Sequence, residues 1–78
     1  MRLSKMERDL LIYYRDKMGY SFIFKDDKQR PVLFIRSGNT ANQLVLPFDI
    51  FWDLVCSMDE YVLYSIDAIL DMAVVTDE

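Results

Sequence analysis

The side chains best suited to chemistry in this sequence are five carboxylates in its C-terminal part. They are separated by 4, 7, 7 and 4 residues. On a continuous helix, with about 100° per residue, they fall within roughly 40° of one face. Such a row predicts a negative surface that binds a basic partner, although the solvated side of a helix would have the same pattern. The row consists of Asp49, Asp53, Glu60, Asp67 and Asp71.

The residue types of most enzyme and metal sites are missing. The chain has no His, which excludes His-based triads and His metal ligands. Carboxylates four residues apart could share acid and base roles or hold Mg²⁺ or Ca²⁺, but on an exposed helix they titrate alike, and no EF-hand or phosphate loop accompanies them. Cys56 stands beside Val55 in an apolar segment and is predicted to be a core residue. We therefore expect no enzymatic activity, cofactor, metal or small-molecule substrate.

The charges are divided unequally along the chain. Residues 1–36 contain all nine bases and five acids, a net charge of +4, whereas residues 37–78 contain eight acids and no base. The total is −4. This division favours a basic protein partner for the acidic half and makes attraction to nucleic acid phosphates unfavourable. The basic half could also neutralise the acidic half, within one chain or across a dimer.

The elements that must position these charges begin with a helix. The motif Ser4–Glu7 has the S-x-x-E form of a capping box, which predicts a helix from Lys5 onward. Gly19 predicts its end. The buried stripe is predicted from apolar residues at helical spacing, namely Leu3, Met6, Leu10, Leu11 and Tyr14.

A three-stranded antiparallel sheet is predicted next, from segments rich in β-formers that are separated by turn residues. We expect strands over residues 20–25, 32–36 and 43–46, with a loop over 37–42. Both faces of this sheet are apolar, so we expect helices on one face and a second chain on the other. The fold class is therefore α+β in a single domain over residues 1–78.

The segment after Pro47 lacks Gly and is apolar almost all round. It predicts either one long helix over about residues 48–73 or two short helices. The break in the second case would lie at Ser57–Glu60, which is another S-x-x-E sequence.

The composition predicts a homodimer. Fully 53% of the 78 residues are hydrophobic, more than a core of this size can cover. No run of 18 apolar residues predicts a membrane span, no signal peptide pattern is present, and a lone Cys fits the cytoplasm. The predicted dimer contacts are Phe51, Trp52, Val55, Val62, Leu63, Ile66 and Leu70.

These sequence patterns indicate two alternative functions. In size, acidity and lack of catalytic residues the chain resembles small phage-encoded inhibitors such as anti-CRISPR and anti-restriction proteins, a resemblance of composition only. It implies a non-enzymatic inhibitor that presents the acidic row to a basic, nucleic-acid-binding partner. The alternative is a small protein that stacks single-stranded nucleic acid on an aromatic, basic sheet. The residues that suggest this alternative are Phe22, Phe24 and Phe34 with Lys25, Lys28, Arg30 and Arg36.

Overall fold

The chain folds into a mixture of helices and sheets, which confirms the α+β class. The computed structural model describes residues 1–76, with only the backbone described at Ser37. None of the helices within this range is long and apolar enough to cross a membrane. The elements in chain order are β1 (Arg2–Ser4), α1 (Lys5–Met18), β2 (Phe22–Lys25), β3 (Pro31–Ser37), β4 (Thr40–Val45), α2 (Trp52–Ser57), β5 (Tyr64–Ser65), α3 (Ile66–Met72) and β6 (Val74–Thr76).

Helix α1 forms where the capping box predicts it. The hydroxyl of Ser4 accepts a hydrogen bond from the Glu7 backbone N–H at 3.1 Å, and the Glu7 carboxylate accepts one from the Ser4 N–H at 2.9 Å. Gly19 ends the helix in the left-handed conformation with φ 78°. The predicted stripe needs one correction, because Met6 is exposed while Glu7 and Leu11 are the buried positions of this helix.

The main sheet has four antiparallel strands in the order β4-β3-β2-β5, not the three predicted. The additional strand, β5, pairs with β2 through only two residues. A separate parallel pair joins β1 to β6, which departs from the purely antiparallel prediction. The predicted loop over residues 37–42 is a two-residue turn, and Gly38 takes φ 58° at its first position, as a tight hairpin turn requires.

The two faces of this sheet have different surroundings. Ile23 and Leu33 pair across β2 and β3, are 0% exposed and belong to the main core with the helices. The opposite face carries Phe22, Phe24 and Phe34 on the two central strands, with Phe22 directly opposite Phe34. These three rings are half-buried and do not pack against the main core. We call this opposite side the Phe face.

The C-terminal segment forms two short helices rather than one long one. The break falls in the predicted place, but the Ser57–Glu60 sequence does not cap a helix. The Ser57 hydroxyl donates back to the carbonyls of Asp53 and Leu54, both at 3.0 Å, at the last residue of α2. The second helix instead starts after Ser65, whose hydroxyl accepts a hydrogen bond from the Ala68 N–H at 3.0 Å.

Candidate protein-binding surface

The predicted acidic row is not a row on one helix, because α2 and α3 are separated by six irregular residues and β5. Asp53 lies on α2, and Asp67 and Asp71 lie on α3. Asp49 and Glu60 lie in turns. All five side chains are exposed. The carboxylates are therefore spread over two helices and two turns, and the 40° geometry expected from a continuous helix does not apply.

Asp67 is partly neutralised by the basic half of the chain. The Arg15 guanidinium on α1 donates to Asp67 at 2.7 Å and to the neighbouring Asp16 at 2.8 Å. The hydrogen bond to Asp16, followed by the one to Asp67, raises the pKa of Arg15. The hydrogen bond from Arg15 likewise lowers the pKa of Asp16, against a smaller opposing effect of desolvation. Asp67 therefore contributes less to a partner surface than its position in the sequence suggested.

Glu60 belongs to a tight turn that projects an aromatic ring. The Asp59 carboxylate accepts from the Tyr61 N–H at 2.9 Å, and the Asp59 carbonyl accepts from the Val62 N–H at 3.4 Å. The Asp59 N–H in turn donates to the Tyr64 hydroxyl at 3.3 Å, which links the turn to β5. At its tip, Tyr61 is 93% exposed. The turn therefore presents a large aromatic side chain on a hydrogen-bonded support.

A second turn, between β2 and β3, is hydrogen-bonded to the turn that carries Glu60. The Gln29 side-chain amide donates to the Glu60 carboxylate at 2.7 Å. Gln29 itself has φ 63°, a left-handed conformation that is uncommon outside Gly. This conformation is fixed by Asp26, whose carboxylate accepts from the backbone N–H groups of Lys28 at 3.0 Å and Arg30 at 2.8 Å. An ordered pair of turns thus supports Glu60 and Tyr61.

Burial and hydrogen bonding act on Asp26 in opposite directions. Desolvation raises its pKa, but the hydrogen bonds from the Arg30 backbone, the Arg30 guanidinium and the Lys28 backbone together lower it below its ordinary value. The Arg30 guanidinium contacts the same carboxylate at 2.8 Å. Arg30 is consequently committed to its own turn.

Large apolar side chains are exposed in the same segment as the carboxylates. Trp52 is 52% exposed, with its ring edge-to-face against Phe48 at a centroid distance of 4.7 Å. Leu63 is 51% exposed. We call residues 49–63, which contain these side chains together with Tyr61, the acidic–aromatic segment. Its exposed carboxylates are Asp49, Asp53, Asp59 and Glu60, and no ion pair involves them within residues 1–76.

The predicted dimer contacts divide into three groups. Phe51, Val55 and Ile66 are covered by the chain itself and are at most 2% exposed, so they are not surface contacts in this structure. Leu70 is partly buried and packs against the main core. The remaining three, Trp52, Val62 and Leu63, are exposed and fall within the acidic–aromatic segment.

The structure brings together only some of the aromatic and basic residues of the alternative function. The three Phe residues share one face as predicted, and Arg36 shares their side of β3 and is exposed. Lys25 is buried and points to the opposite side, because it alternates with Phe24. With Arg30 held by Asp26, the Phe face keeps few of the predicted cations.

Cys56 differs from its predicted environment, and Glu7 is a buried carboxylate. Cys56 is exposed on α2 and is not the core residue that its apolar neighbours indicated. Glu7 is buried, and one of its carboxylate oxygens has no hydrogen-bond partner among the described residues. Among residues 1–76, no cluster of three or more acidic or Cys side chains could hold a metal ion.

Sequence reasoning missed the turn that presents Tyr61. Its signal was available, since an Asp two residues before the exposed position is typical of a turn in which the Asp side chain accepts a backbone hydrogen bond. The helical periodicity of the surrounding residues concealed this signal. Comparisons of the chain with protein-family models, with curated proteins and with solved structures find no match.

Proposed function

We propose that this protein is a small non-enzymatic binding module, of the inhibitor type, that attaches to a basic, nucleic-acid-binding protein. The observation that carries the proposal is the coincidence of exposed carboxylates and exposed large apolar side chains in the acidic–aromatic segment. Trp and Tyr are the residue types that most often dominate binding energy at interfaces. Carboxylates around them speed the encounter with a basic surface and select against acidic ones.

The hydrogen bonds that hold the acidic–aromatic segment in place also favour the binding of a partner. Tyr61 sits on a turn with two backbone hydrogen bonds, and Glu60 is held by Gln29. A side chain on a preorganised support loses less conformational freedom on binding than one on a loose loop. We therefore assign the main apolar contacts to Tyr61 and Trp52, and the attraction of a basic partner to the carboxylates of the segment.

The experiment is a comparative capture from the native host, with the wild-type chain and two charge-matched variants as baits. The first variant, Asp49→Asn with Asp53→Asn and Glu60→Gln, neutralises the segment. The second, Asp9→Asn with Asp16→Asn and Asp27→Asn, removes the same number of charges elsewhere. We expect a basic protein to be retained by the wild type and the second variant and lost from the first.

A further bait, Tyr61→Ala, tests the aromatic anchor, because its side chain is almost fully exposed and contributes little to folding. It should lose the same partner while its thermal unfolding stays that of the wild type. Equal capture by all baits, or recovery of nucleic acid alone, would refute the proposal.

A second candidate function, stacking of single-stranded nucleic acid, is supported by the placement of three half-buried Phe rings on one face of the two central strands. It ranks below the first because Lys25 is buried on the opposite side, Arg30 is paired with Asp26, and the chain carries −4 overall. Fluorescence anisotropy with a labelled oligo-dT or oligo-U tests it. Binding that is lost in Phe34→Ala and kept in Tyr61→Ala would establish it.

A further inference from the structure

Among residues 1–76, no strand pairs with the outer edge of β4, the terminal strand of the main sheet. It pairs with β3 on one side and is the terminal strand of the order β4-β3-β2-β5. Five of its six residues are exposed. Its sequence, TANQLV, contains no charged residue and no Pro, which are the devices that proteins use to keep sheet edges from pairing with other chains.

The hydrogen-bonding pattern shows which backbone groups are open. The Leu46 N–H donates to the Pro31 carbonyl at 2.9 Å, so this pair is hydrogen-bonded and the next pair, Val45 with Val32, is not. The Phe34 carbonyl accepts a hydrogen bond from the Ser21 N–H, on the β2 side of β3. The pair of Phe34 with Gln43 is therefore, like the pair of Val32 with Val45, not hydrogen-bonded. The backbone N–H and C=O groups that point away from the sheet are therefore those of Ala41, Gln43 and Val45.

We propose that β4 docks antiparallel against β4 of a second copy of this chain, which forms one continuous eight-stranded sheet across a twofold axis. With Gln43 opposite its own counterpart, Ala41 faces Val45 of the other copy, and all three open residues of each strand are paired. Every side chain brought together is neutral, so no like charges meet. An antiparallel pairing of identical strands is self-complementary, as a twofold interface requires.

The distribution of acidic residues favours this partner and this edge. The turn that carries Asp59 and Glu60 leads into β5, at the opposite edge of the sheet. In the eight-stranded sheet the two β5 strands are seven spacings of about 4.8 Å apart, roughly 34 Å. That separation is several times the Debye length of about 8 Å at physiological salt. The dimer consequently joins two chains of −4 without opposing these acidic turns, and it leaves both copies of Tyr61 accessible.

The test is amide hydrogen exchange of the full chain by NMR, from about 20 µM to about 1 mM, with sedimentation velocity on the same samples. We expect the 9.3 kDa monomer to become a dimer of twice that mass. The amides of Ala41, Gln43 and Val45 should slow with concentration by about tenfold or more. The backbone N–H groups of Asn42 and Leu44 face β3 within the sheet, so their exchange should not depend on concentration.

Variants of Gln43 keep the proposal falsifiable. Gln43→Pro removes an outward N–H in both copies and should raise the dissociation constant by roughly tenfold or more. Gln43→Lys is a second variant in case Gln43→Pro does not fold, and it places like charges at the twofold axis; Gln43→Thr is the neutral control. A monomer at 1 mM would overturn the proposal. A dimer in which exchange of the three amides is unchanged would also overturn it, because the contact would then lie elsewhere. Equal dimerisation of the Gln43→Lys and Gln43→Thr variants would do the same.

Discussion

Asp26 is the residue whose replacement tests the turn architecture most directly. Its side chain is 15% exposed and accepts from two backbone N–H groups at 2.8 and 3.0 Å and from the Arg30 guanidinium at 2.9 Å. Asp26→Asn keeps the shape but removes the charge, and charge-assisted hydrogen bonds are about twice as strong as neutral ones. Losing about 0.5–1 kcal/mol at each backbone contact amounts to about 1–2 kcal/mol. The pair with Arg30 adds little because that guanidinium is 39% exposed.

The assay is thermal or urea unfolding at pH 7, where each kcal/mol lowers Tm by about 4–8 °C for a domain of this size. The effect must also depend on pH. The pKa of Asp26 is lower in the folded chain than in the unfolded one, so its stabilisation is present above the unfolded pKa and is lost as pH falls through the folded pKa. The difference from wild type should be constant from pH 7 to 5 and shrink below about pH 4. The control is Asp27→Asn, next to it and exposed. Equal effects of both variants, or a difference from wild type that does not shrink as the pH falls below 4, would refute the reasoning.

Three further substitutions test other parts of the fold by equilibrium unfolding. Ser4→Ala should destabilise the chain by about 1 kcal/mol, because it removes the acceptor of the Glu7 N–H at the start of α1. Gly38→Ala should cost about 1–2 kcal/mol through backbone strain alone, since an added Cβ would meet no atom within 4 Å, and Asn39→Ala is its control. Phe51→Ala should cost about 3–5 kcal/mol, because its ring is completely buried, and a loss below 1 kcal/mol would contradict its placement in the core.

The parts of the fold that could be predicted are those specified locally. The start and end of α1 follow from Ser4, Glu7 and Gly19, whose roles depend on neighbours within a few residues. Strands β2 and β3 were recognisable because β-branched and aromatic residues continue through them. By contrast, β1, β5 and β6 contain two or three residues each, too few for any periodicity. They exist because distant segments supply their partners.

The candidate site was predictable in composition but not in geometry. The acidic character of the C-terminal half is a property of the sequence, whereas its arrangement depended on whether residues 48–73 form a single helix. The structure breaks this segment after Ser57, and β5 pairs with β2 beyond the break. Because tertiary pairing overrides helical periodicity at that point, Glu60 and Tyr61 are presented by a turn.

The parallel pairing of β1 with β6 has a consequence for how the chain folds. The Val74 N–H donates to the Met1 carbonyl at 2.9 Å, so the first and last described strands meet across almost the entire sequence. Closing a loop of about 70 residues costs on the order of 4 kcal/mol of chain entropy beyond the local elements. We expect a contact of such range to form after α1 and the β2–β3 and β3–β4 hairpins, because long-range pairing is slower than local pairing. During synthesis on the ribosome, we therefore expect β1 to pair only after residues 74–76 have emerged.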